Sequence, residues 1–444
     1  MQTKKLSLRD SMKTIYRMYI GRISKPVKCI PLFVGLLFVF SVAGGQTRIT
    51  SPYSMFGIGE TRFNQNFRNI GMGGLGIAFR DHTSINDVNP ASYTSSDSLS
   101  FVFEATALSH FYRQSTSDQS QFGNYTSLGS LAFGFPITRW WGIGAGLRPF
   151  SSVGYKVRDF EADNTIGNMN YVYEGEGGIN QAFVGTAIRP FKGFSVGLNA
   201  SYLFGRFENH TSVYSDSAAI FLTNKVVSNQ VSGWQFGLGA QYEFRPTETS
   251  AYTLGFIYGD QRAIGASRNE VVRRILPGSM SRYDTISIDQ GIQGDLVLPS
   301  YWGAGIFARV NSQWGAGIDY QRQNWEEYSL FGDSDNLNNS HQFAFGIQHN
   351  PQVQTFSTLI HRLEYRAGFR YGQTYLNPNN QSMNEFGISF GIGIPLRRSL
   401  SGLNIGFEYA QRGTTDNNLI REDFFRFNIG VNIYERWFMR RRFF

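Results

Sequence analysis

Cysteine is almost absent from this 444-residue sequence, because Cys29 is the only one. Cys29 lies in the N-terminal leader described below, so the rest of the chain has no disulfide, thiolate nucleophile or cysteine-based metal site. Charged residues make up only 17% of the chain. The single long apolar run, residues 30–40, is shorter than the ~20 residues of a membrane-spanning helix. The sequence therefore excludes a disulfide-stabilised domain and a bundle of membrane helices.

The first 45 residues have the order of a signal peptide. Basic residues come first, the apolar run of residues 30–40 follows, and small residues fill positions 41–45. A membrane anchor is the alternative interpretation of this stretch. It holds eight basic residues and the acidic Asp10, so it carries +7 of the formal net charge of +8. The remaining chain is nearly neutral, and its charge gives no support to nucleic-acid binding.

The remaining chain is rich in aromatic residues and glycine, with 16% aromatics and 49 glycines in the whole sequence. From Phe425 to Ile433 every second residue is large and apolar, and Arg, Asn or Gly stand between them. This period of two predicts a β-strand, and it recurs in residues 234–244, 302–308, 314–320 and 386–394. A soluble β-sandwich array is the alternative. Large rings on nearly every apolar face favour lipid contact, and so an outer-membrane barrel.

The strand pattern predicts an all-β fold, a transmembrane antiparallel β-barrel of roughly 14 strands over residues 98–438. A basic tail at residues 439–444 follows, and an even strand count places both termini in the periplasm. Tryptophans near strand ends are typical of the membrane interface. The predicted strands start near residues 99, 127, 140, 169, 194, 229, 251, 296, 313, 341, 357, 383, 402 and 422.

The predicted connections alternate in length. Short turns on one side and long loops on the other are typical of outer-membrane barrels, with the short turns facing the periplasm. The short turns are expected at residues 138–139, 190–193, 246–250, 311–313 and 396–402. Long polar loops are expected near residues 112–126, 157–168, 214–228, 267–295, 328–340 and 414–421.

Residues 46–97 lack the strand alternation and are dense in Gly, Asn and Asp. This segment could be a periplasmic tail or a plug inside the barrel. The five large apolar residues Phe56, Phe63, Phe67, Met72 and Phe79 favour an N-terminal plug, because a solvated tail has little use for them. The stretch from Gly71 to Gly76 reads G-x-G-x-x-G, but no apolar strand precedes it, so it is not a dinucleotide site.

Residues 68–78, together with Asn89-Pro90-Ala91, resemble the N-terminal hatch of the long-chain fatty-acid transporter (FadL-type) outer-membrane proteins. Residues 298–305 and the tail around Trp437 are also similar to this group. The resemblance implies a 14-stranded barrel with a hatch in its lumen, which passes hydrophobic compounds. The chain lacks the aliphatic run expected of a fatty-acid pocket, so the substrate class stays open. The implied ligand-binding and hatch residues are Phe56, Phe67, Met72, Gly73, Gly74, Phe79, Asn89, Pro90 and Ala91.

No catalytic or metal motif stands out in the sequence. None of the six histidines shows the H-E-x-x-H spacing. Asp81, His82 and Ser84 are neighbours in the chain, but a catalytic triad is defined by its geometry in space. Glu326-Glu327 adjoins a polar loop and suits a solvated rim or cation bridging between lipopolysaccharide groups. The sequence therefore predicts a protein that is not an enzyme and needs no cofactor or metal.

Two functions remain as hypotheses, with a barrel enzyme as a minor third. The first is passive, gated uptake of hydrophobic small molecules, fatty-acid-like or hydrocarbon-like, across the outer membrane of a Gram-negative bacterium. The second is a barrel scaffold in an outer-membrane protein secretion or surface-attachment complex, with loops such as residues 267–295 as the docking surface. The expected partners are outer-membrane lipid and lipopolysaccharide and a hydrophobic ligand, with no nucleic acid. The scaffold hypothesis adds a protein partner in secretion.

Overall fold

The wall of the protein is a closed antiparallel barrel of 14 strands. The computed structural model describes residues 51–61, 66–163, 167–215, 222–275, 283–351, 360–396 and 399–437. The predicted signal peptide (1–45), the tail (439–444) and Phe63 lie outside these residues. No helix in the described ranges is long and apolar enough to cross a membrane.

Each wall strand pairs with the next along the chain, and the last pairs with the first from Arg421↔Ser115 to Arg436↔Ser100. The predicted strand number is confirmed. The strands are β1 Ser100–Ser115, β2 Ser120–Thr138, β3 Trp141–Asp163, β4 Gly167–Phe191, β5 Phe194–Ser215, β6 Leu222–Phe244, β7 Ala251–Gly259 with Arg262–Ile275, β8 Tyr283–Leu298 with Tyr301–Arg309, β9 Trp314–Gln323, β10 Ser340–His349, β11 Glu364–Gln373, β12 Asn384–Pro395, β13 Gly402–Arg412 and β14 Arg421–Arg436.

Side chains alternate between the two faces of the wall, as the sequence predicts. The first part of β7 is buried and exposed at alternate residues throughout. Tyr252, Leu254, Phe256 and Tyr258 are its exposed residues, so the outer face of β7 is apolar. Such a face suits a lipid environment, because it would be costly in water over a whole ring.

Aromatic rings collect at the end of the barrel where the turns are short. Trp140 stacks on Trp141, Phe191 stacks on Phe194, and Trp437 stacks on Phe101 with ring centroids 4.4 Å apart. This arrangement is typical of interfacial aromatic girdles. Trp325 departs from the expectation, because it is buried at 2% exposure against Tyr375.

Several predicted long loops are wrong, because the strands continue through them. Residues 112–126, 157–168, 214–228 and 267–295 lie largely in the paired strands β1 to β8. β4 is 25 residues long, whereas β9, β10 and β11 have 10 residues each. These extensions are rich in polar residues, because both faces of the extended sheet meet water. They therefore lack the alternation of apolar and polar residues that predicts a strand. The wall is therefore much taller along β3–β8 than along β9–β13.

The tall part of the wall opens between β2 and β3. These strands pair with each other from Leu131↔Leu147 to Thr138↔Trp141, and above Leu131 and Leu147 they no longer pair with each other. Glu60 and Thr61 pair instead with Ser152 and Ser151 of β3. Residues ahead of the barrel thus take a place on the inner edge of the wall.

Candidate functional site

The N-terminal segment, residues 51–61 and 66–97, contacts strands on opposite sides of the ring. Its helix α1, Phe67–Gly71, contacts β11 to β14, and its 3-10 helix Pro90–Ser95 contacts β2 to β6. Asn66 caps α1, since its side chain accepts a hydrogen bond from the Arg68 amide at 2.8 Å. The segment therefore crosses the lumen, and its movement as a hatch stays a prediction.

Glycines bring the segment into direct contact with the wall after α1. Gly73 and Gly74 have φ of +71° and +88°, which turns the chain in a way that side chains disfavour. Met72 is fully buried against wall glycines. A Cβ added to Gly368 of β11 would lie 2.1 Å from the Gly73 nitrogen. The amide of Gly73 donates to Ser389 Oγ on β12 at 2.8 Å.

A buried carboxylate anchors the next part of the segment. Asp319 of β9 accepts hydrogen bonds from the amides of Gly76 and Ile77, each at 2.7 Å. Hydrogen bonds to a charged acceptor are the strong ones. Phe79 packs edge-on against Phe307 of β8, with ring centroids 5.2 Å apart. This part of the segment is fixed to β8 and β9.

Asn89, Pro90 and Ala91 attach the segment to the opposite wall. The Asn89 side-chain amide donates to the carbonyls of Ile77, Ala240 and Phe256, and its oxygen accepts from the Ala91 amide. Pro90 and Ala91 lie against Gly197, where an added Cβ would come within 2.5 Å of Pro90. The motif therefore joins the segment to itself and to β5, β6 and β7.

The nine predicted hatch residues are all brought into the lumen, mostly as contacts between segment and wall. Phe56 and Gly74 are half-buried and the other seven are buried. Of the nine, only Gly73, Gly74 and Pro90 line the cavities described next, so the phenylalanines hold the segment in place without facing open space. Their role in binding a ligand stays a prediction.

A charged cavity of about 220 Å³ lies beside Gly73 and Gly74. Arg370 contacts Glu385 and Glu408 at 2.6 Å each, and Arg412 contacts Glu422 at 2.6 Å. The segment joins this network through Glu60, whose carboxylate lies 3.7 Å from Arg412 and 3.6 Å from Arg426. The sequence analysis missed these residues, although they occupy inward positions of β11 to β14. The cavity therefore offers charged groups to water or to a polar ligand, beside apolar surface from residues such as Leu108 and Tyr371.

A second, smaller cavity of about 70 Å³ lies between the segment and the taller wall. Polar and apolar side chains contribute equally to its surface. The large apolar residues that line it are Phe150, Phe236, Leu238, Ile257, Leu298, Tyr301 and Trp325.

Neighbouring Asp81, His82 and Ser84 do not form a triad. Asp81 pairs with Arg68 and accepts hydrogen bonds from Thr83, while Ser84 Oγ accepts from Asn66 and His82 is half exposed. Burial opposes ionisation of Asp81, but the Arg68 guanidinium holds the pKa of this carboxyl well below its usual range. Asp81 is therefore a structural anion of the segment.

Glu176, Glu208 and His210 form the one group of the described residues whose ligand atoms could hold a metal ion, within 4.8 Å of one another. Glu208 is already paired with Arg206 and lies 3.4 Å from His210. The three residues lie on the face of the tall wall opposite the buried Phe207. Arg206 already compensates the charge of Glu208.

Comparison with solved structures places the fold among outer-membrane channels of small hydrocarbons. The toluene transporter TodX of Pseudomonas putida is 14% identical, with a TM-score of 0.56 over 86% of this chain and 99% of that one. The toluene transporter TbuX of Ralstonia pickettii is 14% identical, with a TM-score of 0.54 over 84% and 98% of the chains. The CymD monoaromatic hydrocarbon channel is 14% identical, with a TM-score of 0.54 over 87% of this chain and 100% of that one. At this identity the likeness is one of fold alone.

No curated protein matches the chain in sequence. The FadL-type resemblance holds for the barrel architecture, and the structural neighbours are transport channels rather than enzymes. The family model that matches is described as BamG, and it covers residues 27–444. The chain therefore belongs to the BamG family.

Proposed function

We propose that the protein is an outer-membrane channel through which small hydrophobic molecules diffuse passively. The observation that carries this proposal is an interruption of the wall beside the smaller cavity. β6 and β7 pair up to Gly237↔Gly259 and again from Ser232↔Gly265, so residues 233–236 have no partner on β7. The same level of the wall is broken at residues 260–261 and 299–300.

Tyr301 covers the wall interruption from inside. A Cβ added to Gly259 would lie 2.1 Å from the Tyr301 ring, and one added to Gly237 would lie 2.8 Å from its hydroxyl oxygen. The ring therefore lies across the inner face of both glycines. On the outer side, Phe236 and Leu238 are exposed and also line the cavity. An apolar molecule would pass from cavity to lipid by displacing one ring, without breaking the segment's hydrogen bonds.

The fold likeness supports the same proposal, since TodX and TbuX are described as toluene transporters. The charged cavity argues for a small apolar substrate that stays on the β6–β8 side of the lumen. Burial of an apolar molecule among the guanidinium and carboxylate groups would gain little and would compete with water. We therefore propose a hydrocarbon-like substrate in preference to a fatty acid.

The proposal predicts opposite effects for two variants in an uptake assay with radiolabelled toluene and related hydrocarbons. Tyr301→Ala removes the inner cover and is expected to raise uptake several-fold. Gln235→Trp places a large ring in the smaller cavity at the wall interruption and is expected to abolish most of the uptake. Uptake would be measured in cells with equal amounts of heat-modifiable barrel in their outer membranes.

Leu254→Trp is the matched control for the uptake assay. Leu254 is exposed on the outer face of β7, so the added ring points away from the cavity. Its uptake is expected to equal that of the unaltered protein. Equal uptake by all four proteins and by cells without the protein, across a broad panel of hydrocarbons, would exclude the channel function.

The second candidate is a scaffold in a secretion or surface-attachment complex. The observation that favours it is an unpaired strand edge in the tall wall. Residues 283–294 of β8 pair with β7, but no described residue pairs with their other edge. The next residues are covered, because the Phe331 amide donates to the Asp295 carbonyl and Ser329–Leu330 pairs with residues 296–297. Exposed strand edges recruit strands from other chains. Cross-linking in outer membranes followed by purification would distinguish the candidates, because a stoichiometric partner at this edge is expected only of a scaffold.

A further inference from the structure

Four arginines converge around one carboxylate at the end of the barrel with the short turns. Arg189 lies near the end of β4, Arg245 directly follows β6, and Arg309 is the last residue of β8. Arg80 reaches them from the N-terminal segment. These residues form the arginine cluster, and Glu243 of β6 is at its centre.

The four arginines are linked through Glu243, Thr94 and the backbone carbonyl of Arg80. Arg245 Nε lies 2.5 Å and Arg80 Nε 3.8 Å from the Glu243 carboxylate. Arg309 donates to the Arg80 carbonyl at 3.3 Å, and Arg189 donates to the carbonyl of Thr94. The Thr94 hydroxyl in turn accepts from Arg80 at 2.8 Å. The cluster is thus one built site that joins the segment to three strands.

The positive charge of the arginine cluster is not balanced. Glu243 is the one carboxylate that the described residues place within ion-pair distance of any of the four arginines. Arg80 is 6% exposed, so its charge is largely removed from water. Burial and the three neighbouring arginines outweigh Glu243 and lower the pKa of Arg80 to about 10. An anion at this site would relieve repulsion that the fold itself leaves in place.

The cluster opens to the lumen and not to lipid. Glu243 lies on the same face of β6 as the buried Gln241, whereas Tyr242 and Phe244 are exposed on the outer face. A bilayer phosphate outside the ring is therefore separated from the cluster by the wall. Arg245 is 60% exposed at the mouth of the barrel, so a ligand from the aqueous side can reach it.

We propose that the arginine cluster binds an acidic segment of a protein partner on the short-turn side of the barrel. Guanidinium groups bind carboxylates with paired hydrogen bonds, and four of them on separate elements suit several carboxylates spaced along one chain. The charge complementarity selects an acidic peptide over an apolar one. This interaction does not depend on hydrocarbon passage, because it uses residues that do not line the smaller cavity.

Fluorescence anisotropy with the full-length protein in nanodiscs tests the proposal. The probe is a labelled peptide of alternating glutamate and serine, and the same peptide with glutamine in place of glutamate is the comparison. Tight binding of the glutamate peptide alone is expected, weakening as salt rises. The double variant Arg245→Gln with Arg309→Gln is expected to lower the affinity at least about tenfold. Arg80 is left unaltered because it holds the segment in place.

Arg139→Gln is the matched control, since Arg139 is exposed in the β2–β3 turn at the same end and outside the cluster. Its affinity for the glutamate peptide is expected to be unchanged. Equal binding of both peptides, or an equal loss in Arg139→Gln and the double variant, would overturn the proposal. So would displacement of the peptide by phosphatidylglycerol vesicles or inorganic phosphate at matched charge, because the site would then recognise any phosphate.

Discussion

Replacing Arg412 by alanine is expected to destabilise the barrel by about 3–5 kcal/mol. Arg412 contacts the Glu422 carboxylate at 2.6 Å and lies 3.8 Å from Glu385. Glu422 has no exposed surface, and Arg412 is only 6% exposed. Removing the guanidinium would leave a buried carboxylate without its cation, which costs more than the pair itself contributes. The free energy of unfolding would be measured by urea titration in detergent.

Arg421→Ala is the control for this prediction. Arg421 is also on β14, but it is 38% exposed and contacts Asp423 at 3.3 Å. Because Arg421 is open to water, its pair contributes roughly 0–1 kcal/mol. The buried Asp423 also keeps the hydrogen bond from the Tyr409 hydroxyl when Arg421 is removed. Adding Glu422→Gln to Arg412→Ala is expected to restore part of the lost stability, since no uncompensated charge then remains at that position. Equal unfolding free energies for Arg412→Ala and Arg421→Ala would contradict the prediction.

Gly368→Val is expected to release the N-terminal segment from the wall. The added Cβ would lie 2.1 Å from the Gly73 nitrogen and the Met72 carbonyl carbon, and neither backbone atom can rotate away. Arg68 and Arg80 are 5% and 6% exposed, so trypsin has little access to them in the unaltered protein. Release would expose both, and cleavage after them is expected to become faster by on the order of tenfold.

Gly265→Val controls for adding a side chain to a wall glycine that does not touch the segment, since Gly265 is exposed on the outer face of β7. The nearest atom to its added Cβ is the Ser232 carbonyl oxygen at 3.6 Å, which is ordinary contact. Both variants must keep heat-modifiable mobility on gels, which shows that the barrel has closed. A closed Gly368→Val barrel in which Arg68 and Arg80 stay protected would show that the contact does not hold the segment.

The barrel could be predicted from the sequence because the residues of a lipid-facing strand alternate between apolar and polar, which identifies its outer and inner faces. Alternation from Phe425 to Ile433 fixes the two faces of β14 without knowledge of its neighbours. The extensions of β3 to β8 could not be predicted in this way, since water on both faces removes the alternation. Residues 267–295 looked like a loop for this reason and are mostly strand.

Less of the candidate site could be predicted. The G-x-G-x-x-G and Asn-Pro-Ala stretches were recognised as part of the plug, and both do contact the wall. The arginine cluster was not visible, because Arg80, Arg189, Arg245 and Arg309 are far apart in the chain. They meet only where three strands end on one side of a closed ring. The wall interruption had one local signal, Pro299, which lacks the amide that a strand interior needs.

The height of the tall wall along β3–β8 can vary independently of the apolar outer face of the barrel. The β3–β4 ladder runs without a register shift from Ser151↔Ile179 to Asp163↔Gly167, so every pair along it repeats the same geometry. Removing the same even number of residues from both arms would restore the same faces and the same pairing. The height of these extended strands can therefore change in steps of two residues, while the lumen and its contacts stay as they are.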